Sequence, residues 1–144
     1  MANNPLIGNT LMTLNERKIL ATELRKKGYN CSKSVLLAFS DITGLNEETA
    51  SKLSIAFGGG IGGQGNVCGV VSAISMIAGF KTNGLPADKK LAYPHITNLC
   101  NQFENKNGSI ICNSLKKEFH KLCDELILNG IEILHNDLTS DETI

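Results

Sequence analysis

Apolar positions recur three and four apart along this chain, and convincing period-two alternation appears nowhere. The first helical segment opens at Thr13-Leu14-Asn15-Glu16, a capping box in which hydroxyl and carboxylate each satisfy a free backbone N–H. It carries Ile19, Leu20 and Leu24 on one face and stops at Lys26-Lys27-Gly28, cations at the negative end followed by glycine. Asn30 caps a second helix, with Val35, Leu36, Phe39 and Ile42 as its stripe and Gly44 as its stop. Asn46-Glu47-Glu48 starts a third, carrying Ala50, Leu53 and Phe57, which runs into a glycine-rich stretch. Asn66 is the expected cap of the next, an apolar helix over about 67–81 that carries no charge from Val67 to Phe80. A helix apolar on every face belongs at the buried centre of a bundle. Pro86 opens a fifth helix through Leu91, Ile96, Leu99 and Phe103 to Gly108, and Pro94 is expected to kink or split it. From Cys112 to Asn136 one or two more follow, with Leu115, Phe119, Leu122, Leu126, Ile127, Ile131 and Leu134. Ser109-Ile110-Ile111 has extended character, but a lone short strand has nothing to pair with. The pattern predicts an all-α fold, a compact bundle of five to seven helices. One domain is expected over 1–144, frayed at 1–12 and 137–144.

Composition narrows the function classes. At 144 residues, 42% apolar and 19% charged, the chain can bury a real core without a covalent staple. Its formal charge is zero, so no positive patch is signalled for nucleic acid or an anionic membrane. No basic n-region opens the chain, and the longest uncharged apolar run, Val67 to Phe80, is too short to span a bilayer. A cytoplasmic protein is the expectation, and a homo-oligomer is compatible with it. In a reducing compartment five cysteines point to buried apolar side chains, metal ligands or redox thiols before a disulfide framework.

Seven of the fourteen glycines lie in Phe57-Gly58-Gly59-Gly60-Ile61-Gly62-Gly63-Gln64-Gly65-Asn66-Val67-Cys68-Gly69. Gly58-x-Gly60-x-x-Gly63 formally fits the dinucleotide fingerprint, but that motif needs a preceding strand in a parallel sheet and an acid about twenty residues on. Here a helix precedes it, and the next acid is Asp88. No Lys-Ser/Thr pair follows, which excludes a Walker loop. Two readings remain: a crowded turn between helices, or bare backbone at Gly58, Gly59, Gly60, Gly62 and Gly69 approaching a ligand or a sulfur.

Cys31 follows the cap Asn30, and Cys68 lies two after the expected cap Asn66. Both thiols would sit in a first helical turn, where free N–H groups and the positive dipole end lower a thiol pKa. Lys33 would act the same way if it faced Cys31. Cys112 also falls near a helix start, and Cys123 lies in the last segment. On one straight helix those two would stand roughly 16 Å apart, so a break, or pairing with Cys31 and Cys68, is required before they can bond. Cys100 falls with Ile96, Leu99 and Phe103 and is expected in the core. His120-x-x-Cys123 places an imidazole and a thiol on one helical face, either a metal or base pair or simply a solvated histidine. His95 and His135 have no partner that the sequence names.

The order of these features resembles the C_GCAxxG_C_C family of spaced-cysteine proteins. The matching residues are Gly28-Tyr29-Asn30-Cys31, Ala56-Phe57-Gly58-Gly59-Gly60-Ile61-Gly62, Cys68-Gly69, Gly108-Ser109-x-x-Cys112 and Cys123, over roughly 15 to 135. Val70 stands where the family has alanine, and Ala73 where it has glycine. The resemblance implies four functional cysteines, Cys31, Cys68, Cys112 and Cys123, and a redox role with an electron-transfer or thiol partner protein. On that reading Cys31 and Cys68 form the reactive pair, Cys112 and Cys123 a second or resolving pair, and the chemistry is that of an oxidoreductase. A second reading has the same four cysteines hold Zn²⁺ or an iron–sulfur cluster, although none of them share the short spacing of ordinary zinc sites. A third is a helical scaffold with core cysteines.

Overall fold

The computed structural model describes residues 11–140, so of the ends expected to fray, 1–12 and 137–144, residues 1–10 and 141–144 lie outside the described residues. The fold is all-α, 72% helical, with no strand among the described residues. The helices are α1 (Leu14–Lys26), α2 (Cys31–Ala38), α3 (Ser40–Thr43), α4 (Glu47–Ser54), α5 (Gly69–Gly79), α6 (Lys89–Asn107), α7 (Cys112–Lys117) and α8 (Cys123–Ser140). Short 3-10 turns at Ile55–Phe57 and Pro86–Asp88 precede the glycine stretch and α6. That is one helix more than seven, because a turn at Phe39 separates α3 from α2 and a loop separates α7 from α8.

The caps explain most boundaries. The Glu16 N–H donates to Thr13 Oγ1 at 3.1 Å, and the Thr13 N–H to Glu16 Oε1 at 2.8 Å. Asn30 and Asn46 accept through Oδ1 from the Lys33 and Thr49 N–H groups at 2.8 and 2.7 Å. Asn66 does not cap α5. Cys68 itself occupies that place, with no side-chain bond to the helix, because residues 66–68 are engaged elsewhere. Val67 forms an isolated antiparallel bridge with Ile111, so the extended Ser109-Ile110-Ile111 does find a partner. Pro94 neither kinks α6 into two elements nor ends it; the helix runs continuously from Lys89 to Asn107. The proline lies within the first two turns on an exposed face, where the one carbonyl it leaves unpaired is open to water.

The core sits where α2 and α5 cross, enclosed by α1, α4, α6 and α8. On α5, Gly69, Val70, Val71, Ala73, Ile74, Ile77 and Ala78 are buried, as an uncharged helix requires. All eight residues of α2 are buried, including Ser32, Lys33 and Ser34. The bulk that Val70 adds is met by Gly130 of α8, whose absent Cβ would fall on Val70 Cγ1. Of the stripe on α1, Ile19 is turned outward and half exposed, whereas Leu24 is buried beside Arg17 and Ala21 and Leu20 packs against the core. Residues 137–140 belong to α8, not to a frayed end. Among the described residues no helix is long and apolar enough to cross a membrane.

Candidate functional site

The glycine stretch delivers two cysteines to one point by an unusual path. Gly59, Gly60, Ile61, Gly62 and Gly63 all have positive φ, between 60° and 77°. Five such residues in succession make a left-handed turn that L side chains disfavour, which explains why four of the five are glycine. The turn is closed by its own backbone: Gly63 N–H to Gly58 O at 3.1 Å, Gly65 N–H to Gly59 O at 2.9 Å and Asn66 N–H to Gly60 O at 3.0 Å. The chain then meets the segment before α7. The Cys68 N–H donates to Ile110 O at 2.8 Å, and the Cys112 N–H to Asn66 O at 2.7 Å. These two bonds flank the Val67–Ile111 bridge and set Cys68 and Cys112 on the same side of it.

Cys31 comes from the opposite direction, at the first residue of α2. A Cβ at Gly69 would lie 2.6 Å from the Cys31 sulfur and 2.8 Å from Phe57 O. The sulfur therefore rests on bare backbone next to Cys68, and only glycine fits at 69. Cys123 begins α8, whose first turn is held to the end of α1: Arg25 Nε donates to Asp124 Oδ1 at 2.9 Å, and its Nη1 to Tyr29 O at 3.1 Å. The four cysteines, Gly59, Gly69, Val70, Lys116 and Leu126 together line one cavity of about 20 Å³. That is room for about one water-sized occupant.

All four cysteines singled out in the sequence are thus brought together. Of the glycines, only Gly59 and Gly69 line the cavity. Gly58 is crowded by Asn30, whose Nδ2 would lie 2.7 Å from a Cβ there, and Gly60 is buried against the Asn66 backbone. Gly62 has open space around it. Cys100 packs against the core from α6, away from the cavity. His120 does not share a helix with Cys123; it lies exposed in the α7–α8 loop with φ 52°, and this loop is the break that Cys112 and Cys123 require. Lys33 turns away from Cys31, its Nζ 3.1 Å from the Tyr29 ring centroid and 3.6 Å from Glu47 Oε1. Nothing in the sequence singles out Lys116, which also lines the cavity, since a cation four residues past a helix-start cysteine is an ordinary surface pattern. Among the described residues Ser32 Oγ, beside Cys31, is the buried side-chain polar atom without a partner.

Thiol acidity runs opposite to the expectation from helix starts. Burial pushes Cys68 from an ordinary thiol value of 9.0 up to about 12, although the Val70 and Val71 N–H groups favour its thiolate. Burial likewise raises Cys31, against the Gly59 and Ser32 N–H groups. Helix-end donors help a thiolate only where water also reaches it, and here desolvation is the larger effect. Because a folded-state pKa above the unfolded one keeps the proton on in the native state, stability is intact below about pH 9 and falls as pH rises toward 12. Urea unfolding between pH 8 and 11 should show that decline, by up to about 1.4 kcal/mol per pH unit for Cys68. Cys68→Ala should make it shallower, leaving the part that Cys31 carries, and a slope unchanged in that variant would disprove the attribution.

A second concavity, about 530 Å³, opens at the other end of α5 between Lys81, His95 and Asp137. It contains no cysteine. Size alone would favour it, but the four cysteines converge on the small cavity.

A helical bundle that brings four cysteines from four separate helix starts to one cavity defines a class, a cysteine cluster mounted on a glycine turn. The chain belongs to the C_GCAxxG_C_C family, described as "Putative redox-active protein (C_GCAxxG_C_C)", which it matches over residues 29–136. It is also similar to a protein of Archaeoglobus fulgidus described as "Uncharacterized protein", 24% identical over 139 residues, or 84% of this chain and 92% of that one. No solved structure matches it.

Proposed function

We propose that this chain is a thiol–disulfide redox protein in which Cys31, Cys68, Cys112 and Cys123 exchange electrons with a disulfide-bearing partner, as an oxidoreductase. One observation carries the reading: four cysteines from four separate helix starts border a single cavity of about 20 Å³. Thiols used only for packing have no reason to converge, and although Cys31 and Cys68 join the core of Val, Ile, Leu, Ala and Phe, Cys112 and Cys123 lie outside it. The same convergence raises the metal reading, since one ion would fill that volume. Against it, among the described residues no three His, Cys, Asp or Glu side chains stand as a coordination set.

Treating the reduced, anaerobically purified protein with excess oxidised glutathione tests this. Four of the five thiols should be lost as two intrachain disulfides, leaving Cys100 free to alkylate. Retention of about one equivalent of zinc, with the four thiols protected until a chelator is added, would replace the thiol reading with a metal one.

A further inference from the structure

We propose that the four cysteines form an ordered relay, Cys123–Cys31–Cys68–Cys112, whose disulfide pairs are Cys31–Cys123 and Cys68–Cys112, joined by exchange between Cys31 and Cys68. This rests on the thiol–disulfide reading and departs from the pairing expected in the sequence, Cys31 with Cys68 and Cys112 with Cys123. Accessibility sets the direction. Cys123 is half-buried, whereas Cys31, Cys68 and Cys112 are 8%, 4% and 8% exposed. A partner disulfide meets Cys123 first.

Backbone geometry sets the neighbours. Cys68 and Cys112 flank one antiparallel bridge and point to its same side. Cys31 rests on Gly69, the residue after Cys68, so its sulfur approaches Cys68 from α2. The Arg25–Asp124 ion pair and the Arg25–Tyr29 bond hold the first turn of α8 against the junction of α1 and α2, which brings Cys123 to Cys31. Electrostatics trace the same series: ionised Cys123 opposes ionisation of Cys31, while Cys31 and Cys112 both oppose that of Cys68.

The chemistry balances in four steps. The Cys123 thiolate attacks one sulfur of the partner disulfide, and the first partner thiol leaves with a proton. The Cys31 thiolate then attacks the Cys123 sulfur of the mixed disulfide, and the second partner thiol leaves, so the partner has gained two electrons and two protons. Next Cys68 attacks the Cys31 sulfur and frees Cys123. Finally Cys112 attacks the Cys68 sulfur and frees Cys31, the protons of Cys68 and Cys112 ending on Cys123 and Cys31. The outer pair is again a dithiol and can reduce a second partner disulfide, giving a capacity of four electrons.

The test follows disulfides in the unmodified chain, using oxidised glutathione in one arm and disulfide-bonded insulin in the other. The reduced protein receives one or two equivalents, is quenched in acid at intervals, alkylated and mapped by peptide mass. Cys31–Cys123 should form first, give way to Cys68–Cys112 in a slower phase, and coexist with it after two equivalents. The faster arm tells whether the source is a small or a protein disulfide. Cys112→Ala should stop at Cys31–Cys123, and Cys123→Ala should slow the first oxidation about tenfold or more. Final pairs of Cys31–Cys68 and Cys112–Cys123, or unchanged oxidation of a folded Cys123→Ala, would overturn the relay and leave the thiol reading standing. Four free thiols after excess probe would overturn both. Because the mapping uses the unmodified chain, variants that fold poorly do not blunt it.

Discussion

Asp41→Ala should lower the stability of this protein by about 3–5 kcal/mol, and its melting temperature by roughly 10 °C. The reason is Arg17, which is 2% exposed at the centre of a polar knot. Its Nη1 donates to Asp41 Oδ1 at 2.6 Å and to Ala38 O at 2.8 Å, its Nη2 to Asp41 Oδ2 at 3.0 Å, and its Nε to His135 Nδ1 at 3.1 Å. The guanidinium also stands 4.3 Å over the Phe39 ring. One side chain on α1 thus gathers the end of α2, the α3 turn and α8. Removing Asp41 leaves a buried cation without its counter-ion, which costs far more than a surface ion pair is worth. The double replacement Arg17→Met with Asp41→Leu should recover most of the loss, because it removes both charges. Acid should weaken the same knot. Burial, with Arg17 beside it, holds His135 below its ordinary 6.5, so its contribution is present above that value and is lost as pH falls further. Urea unfolding measures all of this. A single-mutant loss under about 1 kcal/mol would show that water reaches the guanidinium in the mutant.

Arg17 also shows where sequence and structure part. The buried face of α1 is Arg17, Ala21 and Leu24, spaced four and three apart. Apolar periodicity counts an arginine against a core position, so it puts Ile19 inward although that side chain is half exposed. Caps and stops were legible because each is a local transaction: Thr13, Asn30 and Asn46 bond to their own helices, and Gly44 and Gly108 take the left-handed angle themselves. The charge-free run that became α5 was legible for a similar reason, since no charge gave it a face to expose. What the sequence hid depends on partners far along the chain. Asn66 looks like a cap, but its carbonyl serves Cys112, across an interval no local rule spans. The direction of the thiol shifts was hidden too, because capping geometry is local whereas desolvation is set by the whole fold. The sequence pattern singles out the same four cysteines that line one cavity in the structure. Which ones are neighbours depends on a bridge and a glycine contact that appear only in three dimensions.

That glycine contact supports the sharpest functional expectation. Gly69→Ala should leave the protein folded, less stable by about 1–3 kcal/mol, and able to form Cys31–Cys123 but not to pass it on to Cys68–Cys112. The added methyl would meet the Cys31 sulfur at 2.6 Å and Phe57 O at 2.8 Å. The Phe57 carbonyl is backbone at the end of a 3-10 turn and has little freedom to yield. Cys31 relieves the first contact by leaving its seat beside Cys68, and the second is relieved only by a shift of the start of α5, which carries Cys68 with it. Cys123 reaches Cys31 from the α8 side, so the first exchange survives while the inward one fails. Two controls separate packing from chemistry. Gly130→Ala drives a methyl into Val70 on the same helix from the other side, so it should cost comparable stability without blocking the inward exchange. Gly79→Ala, at the far end of α5 with nothing within 4 Å of its added carbon, should be close to neutral in both. Denaturant unfolding and the time course of the two disulfides read the outcome together. If Gly69→Ala moves disulfide to Cys68–Cys112 at the rate of the unmodified chain, the seat at Gly69 is mere packing and the electrons reach Cys68 by some other route.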